Sequence, residues 1–221
     1  RLYLLRSWHK HPFTSVAIAL LLSLPSFAQT RRDIKERKIK SVLIEWEDMR
    51  KDSVRKKSEL TRYDGKGNPV EVIEYDQSGR VVKWEKASFD KRGNKISSEQ
   101  LNPAGKTIKK TISGYDRKGN EIYYERIDST GKTVKKVVTG YDKWGNVIEK
   151  KTTGEDGEIT EWEKSAYNNF NDKISESTLD KNGKEIRKAV YEYDSKGLLM
   201  SKKIYDENGA LIYSRCYSYG Y

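Results

Sequence analysis

Three basic residues recur in this chain at a fixed interval. Lys106, Lys109 and Lys110 return as Lys132, Lys135 and Lys136, and again as Lys184, Arg187 and Lys188. On alternate strands of a sheet, equivalent positions sit about 10 Å apart, twice the strand spacing. Cations in rows at that pitch suit an anionic polymer, such as an acidic glycan or a phosphate-rich envelope polymer. A plainer role competes: Glu99 and Glu125 on adjacent strands can pair with the lysines, and lysines on sheet edges discourage aggregation. Trp84 and Trp162 share one register position, and Trp46, Trp144 and Tyr124 are further aromatic candidates. Such rings can stack on sugars; they also serve to cover a thin sheet as its core.

Catalytic groups are scarce. Both histidines, His9 and His11, lie in the first 28 residues, which read as an export signal, so the mature chain has none. Without histidine there is no Ser-His-Asp triad and no histidine zinc site. A carboxylate pair can hydrolyse glycosides, but a catalytic residue should break the repeat, and nearly every aspartate follows it. Glu155, Asp156 and Glu158 do break it, near Gly157, and read as drift within one turn. The turn aspartates Asp64, Asp76, Asp90, Asp116, Asp142, Asp180 and Asp194 offer one carboxylate each, against the roughly six to eight oxygens calcium takes. The expectation is a protein that is not an enzyme and uses no metal or cofactor. The single cysteine, Cys216, rules out an internal disulfide framework and reads as a small buried apolar side chain.

Glycines set the elements that position these groups. Gly67, Gly79, Gly93, Gly105, Gly119, Gly131, Gly145, Gly183, Gly197 and Gly209 each follow an Asp or Asn by three positions. Gly157 keeps the register with Gly154 in the acid's place, and Asn171 stands where a glycine is due. The spacing alternates between 12 and 14, so the period is 26 residues, with two turns per unit and six units from about Tyr63 to Tyr219. In such a turn the Asp side chain accepts a backbone N–H two residues on, and glycine takes the left-handed conformation that closes a hairpin with a bulge.

The segments between turns carry an apolar residue three positions after the glycine. It is Val70, Ile96, Ile122, Ile148, Ile174 or Met200 in one kind, and Val82, Ile108, Val134, Ile186 or Ile212 in the other, with Thr160 the exception. Short strands with regular turn signals indicate an antiparallel meander. Only 35% of residues are hydrophobic and another 35% are charged, too little apolar matter for a thick core. The expected fold class is therefore all-β: an antiparallel β-meander repeat array of about a dozen strands, twisted or curled into a single sheet rather than a wide closed barrel. Lysines on both faces of many strands also argue against an outer-membrane barrel.

Tyr115-Asp116-x-x-Gly119-Asn120, Tyr141-Asp142-x-x-Gly145-Asn146 and Tyr193-Asp194-x-x-Gly197 resemble the tyrosine–aspartate (YD) repeats of the RHS family. The resemblance covers roughly residues 60–221. It implies an exported, strand-rich protein. Large members form shells or spirals, often with a C-terminal toxin; the expectation here is a small member without a toxin domain, too small to enclose cargo.

The chain divides into three. Residues 1–28 combine Arg1, Arg6 and Lys10 with a short apolar run, Val16 to Leu24, and the small-x-small site Ser26-Phe27-Ala28, the three parts of a secretory signal. Their removal takes three Lys/Arg and no acid, leaving +8 of the formal +11 charge. Residues 29–60 read as a basic lead-in and degenerate capping unit, and 61–221 as the YD-type repeat domain. The expected location is outside the cytoplasm: periplasmic, cell-surface or secreted, with no membrane span once the signal is gone. Export disfavours nucleic acid as a partner. The expected function is a non-catalytic scaffold binding an acidic or neutral polysaccharide or another envelope protein, with Lys106, Lys109, Lys110, Lys132, Lys135, Lys136, Lys184, Arg187, Lys188, Trp84 and Trp162 as candidate contacts. The alternative is a purely structural or protein-partner module related to RHS systems, and a more remote one is a glycosidase.

Overall fold

The computed structural model describes residues 30–47 and 54–220; the export signal read over 1–28 lies outside them. Fourteen strands form one antiparallel sheet in unbroken chain order. They are β1 (Ser41–Trp46), β2 (Lys56–Tyr63), β3 (Pro69–Tyr75), β4 (Val81–Phe89), β5 (Lys95–Leu101), β6 (Thr107–Tyr115) and β7 (Glu121–Asp128). They continue as β8 (Thr133–Tyr141), β9 (Val147–Thr153), β10 (Ile159–Tyr167), β11 (Lys173–Leu179), β12 (Glu185–Tyr193), β13 (Leu199–Asp206) and β14 (Leu211–Cys216). Each strand pairs with its sequence neighbours, and the sheet does not close.

The turns from β2 to β14 share one backbone hydrogen-bond scheme, to which an Asp or Asn side chain adds in all but the turn at 154–158, where Gly154 has none. At Asp116 the carboxylate accepts the N–H groups of Lys118 at 2.7 Å and Asn120 at 2.9 Å, while the Asn120 amide donates to its second oxygen at 2.9 Å. The backbone adds Gly119 N–H to Asp116 O and Asp116 N–H to Asn120 O. Gly119 has φ +91°, a region L side chains avoid, which is why glycine recurs there. The irregular turn at 168–172 keeps the scheme by exchange. Asn168 now donates to Asp172 at 3.0 Å, and Asn171 takes the left-handed position at φ +67°. After every such turn the register slips by one residue: Gly114 pairs with Tyr123 but Tyr115 with Glu121, leaving Ile122 as the extra residue of a bulge. The recurrent aliphatic residue three after each glycine is that bulged residue.

The carboxylates of Asp76, Asp116 and Asp128 are held below the usual range. At Asp116 the largest cause is the Asn120 side-chain amide, followed by the Asn120 backbone N–H; at Asp76 it is the Ser78 hydroxyl, then the Arg80 N–H; at Asp128 it is the Thr130 hydroxyl, then its N–H. A carboxyl whose folded pKa is depressed adds stability that is fully present above its unfolded value, about 3.9, and is lost as pH falls through the folded value. The urea midpoint should therefore hold steady from neutral pH to about pH 5 and fall steeply below about pH 4. Asp116→Asn, which keeps the acceptor oxygen but does not titrate, should make that acid limb shallower; an unchanged limb would show that the turn carboxylates do not set it.

Alternation of 12 and 14 residues sends the turns to two opposite rims. Turns 64–68, 90–94, 116–120, 142–146, 168–172 and 194–198 form the first; turns 76–80, 102–106, 128–132, 154–158, 180–184 and 206–210 form the second. From Tyr115 onward, the tyrosine at this first-rim position of each unit reaches back to the backbone just after the preceding first-rim turn. Tyr115 donates its hydroxyl to Lys95 O, Tyr141 to Glu121 O, Tyr167 to Val147 O, Tyr193 to Lys173 O and Tyr219 to Leu199 O, at 2.8–3.1 Å. Burial, ahead of nearby carboxylates, pushes the Tyr115, Tyr141 and Tyr193 hydroxyls up. Phe89 holds the same place without a hydroxyl.

The described residues form no central core. The buried apolar residues among those described are Ile34, Ile73, Leu101, Ala189 and Ile204, scattered along the array. Two features differ from the sequence reading. The basic lead-in contains a short helix, α1 (Arg31–Glu36), closed by a capping box between Thr30 and Asp33. It lies on the first rim: Arg31 Nε donates to Lys66 O at 3.3 Å, and Ile34 is 2% exposed. Cys216 is exposed, not buried, because every residue of β14 is exposed and no strand of the sheet covers its outer edge.

Candidate functional site

Directly opposed residues share a face of a sheet, so register sorts the candidate residues. Trp84 lies opposite Ile73 and Leu101, Lys110 opposite Glu99 and Ile127, and Lys136 opposite Glu125 and Thr153. Trp162 lies opposite Lys151, and Lys188 opposite Ser177 and Tyr205. Trp84, Lys110, Lys136, Trp162, Lys188 and Ser214 thus form one row along one face, on alternate strands from β4 to β14. Their chain predecessors, Lys109, Lys135 and Arg187 among them, point to the other face. Lys106, Lys132 and Lys184 sit in second-rim turns. Each basic motif therefore serves three surfaces, giving three separate rows rather than a single patch.

Part of this charge is answered locally. Lys110 Nζ lies 3.3 Å from Glu99, Lys184 lies 3.6 Å from Glu207, and Lys132 pairs with Glu155. The Lys136 ammonium stands 5.3 Å from the Tyr123 ring centroid. Glu125 instead accepts the hydroxyls of Thr133 and Tyr123, which hold its carboxyl below the usual range. Lys109 and Arg187 sit directly across from Asp128 and Asp206.

The two tryptophans repeat a complete constellation. Trp84 donates its indole N–H to Glu71 at 2.8 Å, and Trp162 donates to Glu149 at 2.7 Å. Lys86 and Lys164 each stand 5.4 Å from the respective ring centroid, and Lys151 stands 3.5 Å from that of Trp162. Each ring edge rests on a glycine of the next unit's second-rim turn, Gly105 or Gly183. Burial acts to raise the Glu71 carboxyl, but the Trp84 indole and the Arg62 guanidinium hold it below the usual range. Both rings are half-buried. The sites lie three units apart, roughly 30 Å along the sheet at the usual strand spacing.

The rims differ in chemistry, which sequence reasoning missed because it did not separate their turns. The two central residues of the first-rim turns include Lys66, Lys91, Arg92, Arg117, Lys118, Lys143 and Lys196, and no acid. Those of the second rim include Glu155, Asp156 and Glu207 against Lys181. Adjacent first-rim turns also carry Trp144, 59% exposed, and Phe170, 85% exposed.

The class defined by this geometry is a single-layer antiparallel β-repeat array with rows of side chains on both faces and two chemically distinct rims. No family model and no curated protein matches the chain. Among solved structures it is similar to the Tc holotoxin pore of Photorhabdus luminescens, at 15% identity and TM-score 0.42 over 71% of this chain and 9% of that one. It is also similar to the TcdB2–TccC3 complex, at 13% identity and TM-score 0.42 over 79% of this chain and 11% of that one. A porin-like protein from Bacteroides uniformis gives 9% identity and TM-score 0.40 over 79% of this chain and 81% of that one. The chain spans about a tenth of the length of the two toxin-complex structures.

Proposed function

We propose that this protein is a non-catalytic exported scaffold of the RHS, tyrosine–aspartate repeat kind, whose sheet presents rows of side chains to a polysaccharide of the cell envelope or extracellular space. The observation that carries this reading is a division of labour within the repeat. Turn acids, glycines and rim tyrosines hold the backbone unit after unit, while the row Trp84, Lys110, Lys136, Trp162, Lys188 and Ser214 varies in chemistry at one fixed position. A frame secured by its turns leaves such a row free to be shaped by a ligand, and its pitch of about 10 Å suits an extended polymer. A protein partner is the second reading. It is favoured by the exposed bulge residues Val82, Ile108, Ile186 and Ile212.

Residues 29–221 should bind an acidic glycan within a panel of acidic and neutral envelope polymers. That binding should weaken as salt rises, since exposed charges are screened within about 10 Å at 0.1 M. Combined Lys110→Ser, Lys136→Ser and Lys188→Ser substitution should weaken it by about tenfold or more. Salt-resistant binding to a neutral sugar, lost on Trp84→Ala and Trp162→Ala, would assign the same face to stacking instead. Silence across the panel would overturn the polysaccharide reading and leave the protein partner.

A further inference from the structure

Phe170 and Trp144 occupy the same place, the second central position, in successive first-rim turns. At that position in the other turns stand Lys66, Arg92, Lys118 and Lys196. The hairpin does not require an aromatic there: the turn closes through the Asp or Asn side chain and the glycine or Asn171, and the central side chains point outward. Phe170 is nonetheless 85% exposed and Trp144 59%, a high cost in water for two large apolar groups. Cations flank them on the turn tips, above the turn carboxylates Asp116, Asp142, Asp172 and Asp194, which are engaged in hydrogen bonds within the turns. Arg117 and Lys118 occupy the turn before, Lys196 the turn after, and Lys143 lies 4.1 Å from the Trp144 ring centroid.

Ion pairing distinguishes the two rims, with Lys132, Lys181 and Lys184 paired on the second, although strand cations such as Lys109, Lys136 and Lys188 also lack an ion pair among the described residues. Other strand lysines enter ion pairs such as Lys83–Glu74, Lys95–Glu85 and Lys203–Glu192. Among the described residues, Lys66, Lys91, Arg92, Arg117, Lys118 and Lys143 enter none. Instead Arg92 donates to the carbonyls of Asp116 and Arg117, and Lys118 to that of Lys143. These bonds tie one turn to the next without neutralising the cation. α1 adds Arg31, Arg32 and Lys35, which with Glu36 line a shallow pocket against Lys66 and Lys91 on the same rim.

Protruding aromatic tips within a field of cations match the boundary of an anionic bilayer, where aromatic rings settle at headgroup depth and basic groups meet lipid phosphate. We infer that the first rim docks on an anionic phospholipid surface, with Trp144 and Phe170 entering the headgroup–acyl boundary and Arg117, Lys118 and Lys143 contacting phosphate. Successive strands rotate by about 20°, so a flat membrane meets only a few adjacent turns. The contact therefore centres on turns 116–120, 142–146 and 168–172. A soluble acidic glycan would use the charge and stack on the rings as well, but only a bilayer takes their tips into an apolar phase, and the vesicle test separates the two.

The test is sedimentation of residues 29–221 with vesicles of phosphatidylcholine, with and without phosphatidylglycerol. Binding should require phosphatidylglycerol, weaken with salt, and shift tryptophan emission to the blue; Trp144→Tyr should abolish that shift. Phe170→Ser with Trp144→Ser should weaken binding by about tenfold or more, as should Lys91→Glu, Arg117→Glu and Lys143→Glu together. Gln77→Glu with Ser129→Glu on the second rim should leave it unchanged. No sedimentation with phosphatidylglycerol vesicles, or binding indifferent to the aromatic pair, overturns the proposal; the latter result together with capture of a soluble polyanion would make the rim a polyanion site. The outcome is independent of the polysaccharide reading, whose variants lie on the tryptophan-bearing face.

Discussion

Gly67→Ala is expected to destabilise the protein by about 2–5 kcal/mol, and Gly79→Ala by only about 1–2 kcal/mol. Both glycines have the same left-handed backbone, φ +79° and +82°, which costs an L residue about 1–2 kcal/mol. They differ in what an added methyl would meet. At Gly79 there is nothing within 4 Å, whereas at Gly67 the Cβ would lie 2.5 Å from the carbonyl oxygen of Arg31 and 3.3 Å from the backbone N of Lys35. A backbone oxygen cannot swing aside as a long side chain can, so α1 must shift, adding the roughly 1–3 kcal/mol of overpacking. Urea denaturation of the two variants measures the difference. Equal losses would mean that α1 gives way freely and contributes little to capping the array.

Tyr141 should show a graded response. Tyr141→Phe removes the hydrogen bond to Glu121 O and should cost about 1 kcal/mol, recreating the condition already present at Phe89. Tyr141→Ala also removes a half-buried ring from the first rim and should cost about 3 kcal/mol, the low end for an aromatic truncation. Each unit of an array leans mainly on its neighbours, so the larger loss should fall where two units are joined rather than spread evenly. Hydrogen exchange should then show faster opening in β6 to β9 than in β12 and β13. A Phe variant as destabilised as the Ala variant would assign the whole effect to the hydroxyl.

The repeat was legible because glycine, aspartate and tyrosine each answer a local backbone demand. Asp116 and Gly119 mark a turn in any fold, so their spacing yielded strand number, pairing and the two-turn unit. What stayed hidden depends on which surfaces the turns create. The aliphatic residues after each glycine were visible as a pattern, but a bulge breaks the two-residue alternation from which a face would be read. Ile122 and Ile148 are accordingly partly exposed, at 39% and 40%. Cys216 shares the register of Ile112, Val138 and Val190, and only its place on the last strand explains its exposure. The basic motifs were legible as rows, but only the register sends their members to a rim and to opposite faces. Phe170 carried no signal alone; it stands out only against the lysines and arginine at the same position in other first-rim turns.

Strict neighbour-to-neighbour pairing has a mechanical consequence. A pull along the length of the array acts across the strands, loading inter-strand hydrogen bonds one pair at a time, as in a zipper, rather than all together in shear. Among the described residues no second layer and no ring closure shares that force. The protein should therefore yield under tension by peeling one strand after another from an end, at low and nearly constant force, and shorten again by re-forming hairpins whose turns carry their own instructions. Such a chain behaves less as a brittle strut than as an extensible tether whose reach grows in steps of one strand.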